Sequence, residues 1–462
     1  MMQKGIDSVY FIGAGGIGMS ALARYFMSRG LLVAGYDRVR SRLCEELERE
    51  GMLLHYEDNI NLIPSACLDK ERCLVVWTPA IPPDHSELNY FRNSGFRLEK
   101  RAQVLGRITR SGKALCVAGT HGKTTSSAML AHILHQSHLD CNAFLGGISK
   151  NYATNHILSS SEYVVVEADE YDRSFHNLSP YIALITSADP DHLDIYGSPS
   201  SYLDAFTHFT SLINPGGSLV LHDGVSVNPR LQEGVRLFSY GTATGDFHAE
   251  NIRINNGSIS FDFVGPLSDR IPNISLGQPI PINIDNAVGA MSVAQLCGCG
   301  PSELAYGIST YSGVDRRFDF KINTPDLVLL SDYAHHPREI AACAKSLRIL
   351  YPNRRLTVIF QPHLYTRTRD FHREFSQSLS LFDEVILTDI YPAREKPIPG
   401  VGPKLILDGL SPKVRGSIIR TDDVLDYVKS RPFDVLCILG AGDLDDKMPQ
   451  IENIITSIRF GA

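Results

Sequence analysis

Apolar and polar positions in this chain come in blocks. Short runs of Val, Ile and Leu are each followed by a glycine-bearing turn and then by an amphipathic stretch, the grammar of parallel α/β sheets. Over residues 5–108 the pattern predicts a strand at Ser8–Ile12, a glycine turn, and a helix reaching Arg29 with Gly30 as its C-cap. A strand at Leu31–Tyr36 then ends at Asp37, and another at Leu74–Trp77 stops at Thr78-Pro79, since proline does not extend a central strand. Beyond a linker at 110–113, strand Ala114–Ala118 runs into Gly119-Thr120-His121-Gly122-Lys123-Thr124-Thr125 and a helix. Two nearly all-apolar runs, Tyr163–Val166 and Ile182–Thr186, read as central strands. Between about 246 and 264 the period shifts to two around Asn256-Gly257, a hairpin signal, and a helix is expected at Asp285–Leu296. From residue 316 on, strands at Leu327–Ser331, Leu356–Phe360, Val385–Thr388 and Val435–Leu439 predict a third α/β layer.

Length and composition bound this picture. The chain has 462 residues, and at roughly 150 per domain that is about three domains. No run approaches the ~18 apolar residues a membrane span needs, and the start reads as a strand entering a glycine turn, not a signal peptide. A net charge of −7 without a basic tract argues against nucleic acid and anionic membranes as partners, while leaving room for anionic small molecules. Nine cysteines, scattered singly except for Cys297 and Cys299 and with no C-x-x-C, suit the core of a reduced, cytoplasmic protein. His132, His135 and His138 share helical spacing, but are read as half-buried or surface histidines and not as a metal site.

Two glycine-rich loops carry the chemistry. Gly13, Gly15, Gly16 and Gly18 satisfy G-x-G-x-x-G between a strand and a helix, with Asp37 at the end of the next strand. That spacing lets backbone N–H groups approach a diphosphate at a helix N-terminus. Alone it would suggest a nicotinamide dehydrogenase. Gly119–Thr125 contains the G-K-T core of a phosphate loop, although Val117 occupies the first glycine position of the full pattern. A dehydrogenase needs only the first loop; an enzyme coupling ATP to work on a nucleotide-linked substrate needs both. Glu167-Ala168-Asp169-Glu170 lies at the end of a buried strand, where Mg²⁺ would offset the cost of a carboxylate. Asp189, Asp191, His192 and Asp194 end the next strand and form a candidate second cation site. Asn283 and Asn286 are expected just before a helix, near a nucleotide base or ribose. Arg316, Arg317 and Asp332 flank a domain boundary and suit a phosphate clamp. The fold class expected is α/β with three domains in series at 1–108, 109–315 and 316–462. These are a Rossmann-like N-terminal domain, a central P-loop ATPase-type parallel sheet with a small antiparallel hairpin region, and a Rossmann-like C-terminal domain.

The order GAGGIGMSALA, GTHGKTT, EADE, ADPDHLD, NIDNA, GVDRRFD, SDYAHHP and FQPHLYTRTRDF resembles the Mur ligase family over nearly the whole chain. The resemblance implies an N-terminal domain for the UDP-linked substrate, a central ATPase, and a C-terminal domain that completes the ATP site and admits an amino acid. It implies that Gly13, Gly15, Gly16 and Gly18 hold the UDP diphosphate, with Met19 also binding the UDP-linked substrate and Asp37, Thr78, Ala80 and Ile81 near the uridine. Gly119, Thr120, His121, Gly122, Lys123, Thr124, Thr125, Asn283, Asn286, Arg317 and Asp332 become ATP-binding residues. Of these Lys123, Arg317 and Asp332, together with Glu167 and His192, are expected to be catalytic. Thr124, Glu167 and His192 become ligands of Mg²⁺ and of a second divalent cation, Mg²⁺ or Mn²⁺. His335, His363, Arg367 and Arg369 fall on the muramate and amino-acid side.

There are departures from the family pattern. Ser331 and Ala334 stand where DDYGHHP is expected, leaving Asp332 as the one aspartate; Pro79 replaces a small polar residue and Ile282 a histidine. Thr207 falls where sister ligases carry a modified lysine, so no carbamylated lysine is expected. FQPHLYTRTRDF and IYPAREKPIPGV resemble the branch that joins L-alanine to UDP-N-acetylmuramate in peptidoglycan precursor synthesis more than the branch that salvages a preformed peptide. What the resemblance implies is a cytoplasmic ATP-dependent ligase, a monomer or weak homodimer. A module that closes on ATP without ligating anything is the competing reading outside enzymology.

Overall fold

The computed structural model describes residues 5–191, 193–255, 257–393 and 395–460. They build three sheets. The first holds β1 (Ser8–Ile12), β2 (Leu32–Tyr36), β3 (Leu53–His55), β4 (Cys73–Trp77) and β5 (Arg97–Lys100), ordered β3-β2-β1-β4-β5 and parallel throughout. β1 is buried at every residue, as an apolar central strand requires. Register pairs Ile12 with Trp77, so the glycine turn after β1 and the Thr78–Ile81 turn after β4 emerge side by side at the carboxyl edge, where open α/β sheets bind ligands.

The second sheet runs from β6 (Lys113–Ala118) to β15 (Ser268–Ser275). Between them lie β7 (Asn142–Ser149), β8 (Thr154–Ile157), β9 (Tyr163–Ala168), β10 (Ile182–Ile185), β11 (Ser218–His222), β12 (Arg236–Gly241), β13 (Phe247–Asn255) and β14 (Ser258–Gly265). Its order is β15-β14-β13-β12-β11-β10-β6-β9-β7-β8. Strands β7, β9, β6, β10, β11, β12 and β13 are joined in parallel, and the β7–β8 and β14–β15 pairs are antiparallel. The period-two segment is therefore strand as expected; its turn residue Asn256 lies outside the described residues. Ala118 is level with Ala168 on one side and Ile185 on the other, so three strand-end loops leave the sheet together.

Most element ends shift by a residue or two from expectation, and two of these differences bear on the site. β9 continues through Glu167 to Ala168, because the Glu167 carboxylate finds a backbone N–H on neighbouring β7 and need not leave the strand. The helix expected at Asp285 starts at Asn283 and runs to Cys297, so Asn283 and Asn286 lie inside its first turn and not ahead of it. Both are buried because they satisfy each other and Gln278: Asn286 Nδ2 donates to Asn283 Oδ1 at 3.1 Å, and Asn283 Nδ2 to the Gln278 carbonyl at 3.3 Å.

The third sheet contains β16 (Asp319–Asn323), β17 (Val328–Asp332), β18 (Leu356–Phe360), β19 (Glu384–Leu387), β20 (Arg415–Ile418) and β21 (Val435–Leu439), ordered β16-β17-β21-β18-β19-β20. Only β16 is antiparallel to its neighbour. The chain divides into two compact units: the first two sheets, apart from 253–259 at the ends of β13 and β14, belong to one, and the third sheet belongs to the other. One apolar cluster runs through the first unit from Val9 and Phe11 to Ala183 and Phe206; the third sheet has its own around Leu329, Ile359, Leu436 and Ile451. Buried Asn155 of β8 fastens the first two sheets, donating to the Ile17 carbonyl at 2.6 Å and accepting from Arg24 at 2.6 Å.

All nine cysteines are free thiols, and all but Cys297 are buried. The three spaced histidines turn to separate partners: His132 to Tyr152 and Thr310, His135 to Asp140, His138 to Glu303. No helix among the described residues is long and apolar enough to cross a membrane.

Candidate active site

β6 ends at Ala118 and the chain turns through Gly119–Gly122 into the helix Lys123–His135. Gly122 sits at φ +81°, and a Cβ there would stand 2.7 Å from Asn286 Oδ1, so both conformation and space require glycine. The loop is tethered from outside. Ser187 Oγ accepts from the His121 N–H at 2.8 Å, Thr186 donates to the His121 carbonyl at 2.5 Å, and Thr120 donates to the Asp189 carbonyl at 2.7 Å. The first N–H groups of a helix have no partner inside it, and together with its dipole they make an anion site. Thr124 and Thr125 belong to that first turn. Lys123 Nζ donates to the Gly119 carbonyl at 2.5 Å and pairs with Glu170 at 2.8 Å. Burial pushes the Glu170 carboxyl up, and the ammonium of Lys123 opposes that shift.

Thr124 Oγ1 donates to Glu167 Oε1 at 3.2 Å, and Glu167 Oε2 accepts from the Gly146 N–H at 3.1 Å. A Cβ on Gly146 would overlap the Glu167 carboxylate, so the glycine makes the cradle in which that group sits. A hydroxyl and a carboxylate beside a phosphate loop are the hard oxygen donors Mg²⁺ prefers, with phosphates supplying the rest. Among the described residues no three His, Cys, Asp or Glu side chains gather around a common point; His192 lies outside those residues. Asn286 Oδ1 accepts from Ser126 Oγ at 3.1 Å, which locks the Asn283–Cys297 helix against the helix that carries the phosphate loop.

In the first sheet, the Gly13 and Ala14 N–H groups donate to the Tyr36 carbonyl at 2.8 and 3.0 Å. Asp37 accepts from the Gly15 N–H at 2.7 Å and from the Val39 N–H at 3.0 Å, so it braces the loop itself. Thr78 and Ile81 pack against Gly13, and the Ile81 N–H closes the turn on the Thr78 carbonyl at 3.1 Å, with Ala80 exposed between them. Gly16 caps the helix Ile17–Ser28, Gly18 lies in its first turn, and the Met19 side chain is buried in the core. Arg101 lies against Gly18 and donates to Asp169 at 3.3 Å, linking this loop to the acidic strand end of the second sheet.

Within the third sheet's unit, Asp332 ends β17 and accepts from the Phe318 and Ala334 N–H groups at 2.8 and 2.7 Å. Desolvation pushes its carboxyl up to about 6 against the pull of Arg317. Arg316 and Arg317 both lie over the Tyr333 ring, at 4.9 and 5.4 Å, and Arg316 pairs with Asp445 at 3.1 Å. Ser331 donates to the same Asp445 at 2.5 Å, so the end of β17 is tied to a carboxylate from the turn beyond β21. His335 and His363 face each other with ring centroids 5.9 Å apart, and His363 stacks on Tyr391 at 5.6 Å. Burial, with the nearby His335 and Arg367, lowers His363 to about 4, so it is neutral and an acceptor near pH 7. Arg367 joins this group; Arg369 is exposed and pairs with its neighbour Asp370 at 2.7 Å.

Residues 8–113 match the Mur ligase family catalytic domain, 117–294 the Mur ligase middle domain, and 316–442 the Mur ligase glutamate ligase domain. The UDP-N-acetylmuramate–L-alanine ligase of Phocaeicola vulgatus is 59% identical over 447 residues, covering 96% of this chain and 97% of that one. The chain belongs to the Mur ligase family. The enzyme of the same name from Parabacteroides distasonis is 54% identical to this Mur ligase over 97% of both chains. The crystal structure of UDP-N-acetylmuramate-alanine ligase from Thermotoga maritima superposes with a TM-score of 0.82 at 25% identity, covering 98% of this chain and all of that one. A murein peptide ligase from Psychrobacter arcticus shares the fold, with a TM-score of 0.67 at 20% identity over 97% of this chain and 98% of that one.

Several parts of this Mur ligase's site escape sequence reasoning. Gly146, Thr186 and Ser187 support Glu167 and the phosphate loop, and Arg101 lies on the first loop. The Gly146-Gly147 pair inside an apolar strand was the available signal for Glu167's cradle, since such a pair marks close approach of another group.

Proposed function

We propose that this protein is an ATP-dependent ligase that joins L-alanine to the lactyl carboxylate of UDP-N-acetylmuramate, releasing ADP and phosphate, in peptidoglycan precursor synthesis. The observation that carries this reading is 59% identity with an enzyme named UDP-N-acetylmuramate–L-alanine ligase over 96% of the chain, a span that includes both glycine loops and the third sheet. Murein peptide ligases share the fold at 20% identity, which is why the salvage reading stands second.

The chemistry follows from the reactants. A carboxylate is a poor electrophile, and an amine is protonated in water, so they do not condense unaided. Transfer of the γ-phosphoryl group to the carboxylate gives an acyl phosphate and ADP. Attack by the alanine amine on the acyl carbon then expels phosphate. The first step brings two anions together, and catalysis of such a step is largely positioning and charge stabilisation. In our reading Lys123 and the helix start at Gly122–Thr125 bind the phosphates, and Thr124 and Glu167 hold Mg²⁺. Bound Mg²⁺ supplies charge neutralisation on the phosphate oxygens. Asn283 and Asn286 stand beside the nucleotide, and Arg317 and Asp332 are assigned to ATP binding from their motifs. The Gly13–Gly18 loop and the Thr78–Ile81 turn take the UDP moiety, and His335, His363 and Arg367 the muramate and amino-acid side. Domain boundaries near 108 and 315, a second divalent cation at His192, a cytoplasmic location and a monomer or weak homodimer complete the proposal.

The test is phosphate release with ATP, Mg²⁺ and UDP-N-acetylmuramate while L-Ala, Gly, L-Ser and the salvage tripeptide are varied. The proposal expects release to depend on L-Ala; release indifferent to any amino acid points to a nucleotide-gated module, and dependence on the tripeptide to the salvage ligase.

A further inference from the structure

We infer that Glu170 is a positioning residue for Lys123: it parks the ammonium while the phosphate loop is empty and competes with nucleotide phosphate for it. The inference rests on the reading of Gly119–Thr125 as the ATP loop.

An ammonium has three donors. Those of Lys123 face the Gly119 carbonyl at 2.5 Å, the Glu170 carboxylate at 2.8–2.9 Å and the Thr120 carbonyl at 3.4 Å. Each donor has an acceptor from the chain, so a phosphate oxygen takes the ammonium only by displacing one of them. Two of the three are loop carbonyls. Glu170 alone is charged, and a charge-assisted bond is roughly twice as strong as a neutral one. Phosphate, itself an anion, is the natural replacement for that carboxylate.

Glu170 is built to stay where it is. Its side chain is 3% exposed. Its carbonyl accepts from Tyr196 Oη at 2.5 Å and from the Arg173 N–H at 2.9 Å. Tyr196 packs edge-on against Tyr202 at 4.9 Å, and Tyr202 Oη meets Thr120 Oγ1 at 2.8 Å, so the same aromatic pair fixes the acid and the loop. The other acids of this strand end have separate partners: Glu167 has Thr124 and Gly146, and Asp169 has Arg101. Glu170 is thus left with Lys123. The arrangement keeps a desolvated lysine paired before nucleotide arrives, and it weakens the hold on ADP after the reaction.

The experiment is calorimetric titration of the full-length protein with Mg²⁺–ADP and Mg²⁺–ATP, comparing wild type, Glu170→Gln, Lys123→Ala and the double variant. Gln keeps the shape and removes the charge, so Glu170→Gln is expected to bind ADP roughly tenfold tighter. Its affinity for UDP-N-acetylmuramate and its melting temperature should stay at wild-type values, and kcat and the KM for ATP should fall together. In the Lys123→Ala background the Gln substitution should add nothing. A folded Glu170→Gln with equal or weaker ADP affinity overturns the inference, and so does an equal gain without Lys123. If Glu170→Gln does not fold, Glu170→Asp, which withdraws the charge by one methylene, is judged by the same outcomes. Wild-type ATP affinity in Lys123→Ala would instead refute the ATP-loop reading itself.

Discussion

Replacing Gly146 with alanine adds one methyl group to the site and tests whether Glu167 does what its position suggests. The three atoms nearest the new Cβ all belong to the Glu167 carboxylate, and no backbone atom is among them. Gly146 is not in the left-handed region, so alanine fits its backbone and gains about 0.5–1 kcal/mol over glycine in a strand. Against this stands the bond from the Gly146 N–H to Glu167 Oε2, 3.1 Å long, which the displaced carboxylate loses. A hydrogen bond to a charged group contributes about 1.5–3 kcal/mol, so the net destabilisation is on the order of 1–2 kcal/mol and the fold survives. Restoring an ordinary contact moves the carboxylate by about 1 Å, and a misplacement of that size in an active site costs on the order of 10²-fold in rate. The assay is phosphate release as a function of Mg²⁺ concentration, with a thermal melt as the fold control. The expected result is a folded Gly146→Ala whose Mg²⁺ requirement rises and whose kcat falls about 10²-fold. A folded variant with wild-type turnover and Mg²⁺ dependence would refute the assignment of Glu167 as the metal carboxylate.

Lys123→Ala should lose turnover by orders of magnitude while the fold persists with a lowered melting temperature, because the variant leaves the buried Glu170 carboxylate without its cation; near wild-type phosphate release would remove the loop from the mechanism. A pH effect is expected far from the phosphate loop. Glu87 is fully buried, accepts from Tyr10 Oη at 2.7 Å, and is pushed by burial from the ordinary 4.5 up to about 7. The folded state therefore favours its protonated form: that stability is complete below pH 4.5 and is lost as pH rises through about 7. Urea melts should show Glu87→Gln gaining on wild type from pH 5 to pH 8, by about 3 kcal/mol at most; a constant difference across that window contradicts the account.

The alternation of apolar runs and glycine turns makes three sheets and their carboxyl-edge loops legible in the sequence. Thr124 and Glu167, 43 residues apart, do meet as their motifs suggested. Partners that depend on strand order were hidden, since β9 pairs with β7 and β6 only in the folded sheet, and no local pattern says that Gly146 will face Glu167. Asp445 is another such case. It arrives from beyond β21 to accept from Ser331, a pairing across 114 residues that no local pattern announces. The helix starts at Asn283, two residues ahead of the expected Asp285, because the mutual hydrogen bonds that let two amides begin a buried helix leave no trace in hydrophobic periodicity.

In the proposed reaction ATP drives ligation by phosphorylating the lactyl carboxylate of UDP-N-acetylmuramate. Turnover of substrate carrying ¹⁸O in that carboxylate, with ATP and L-alanine, tests it directly by mass spectrometry of the released phosphate. The account predicts one labelled oxygen in phosphate for each amide formed, because the oxygen bridging carbon and phosphorus leaves with phosphorus. Phosphate without label, while amide accumulates, would contradict it.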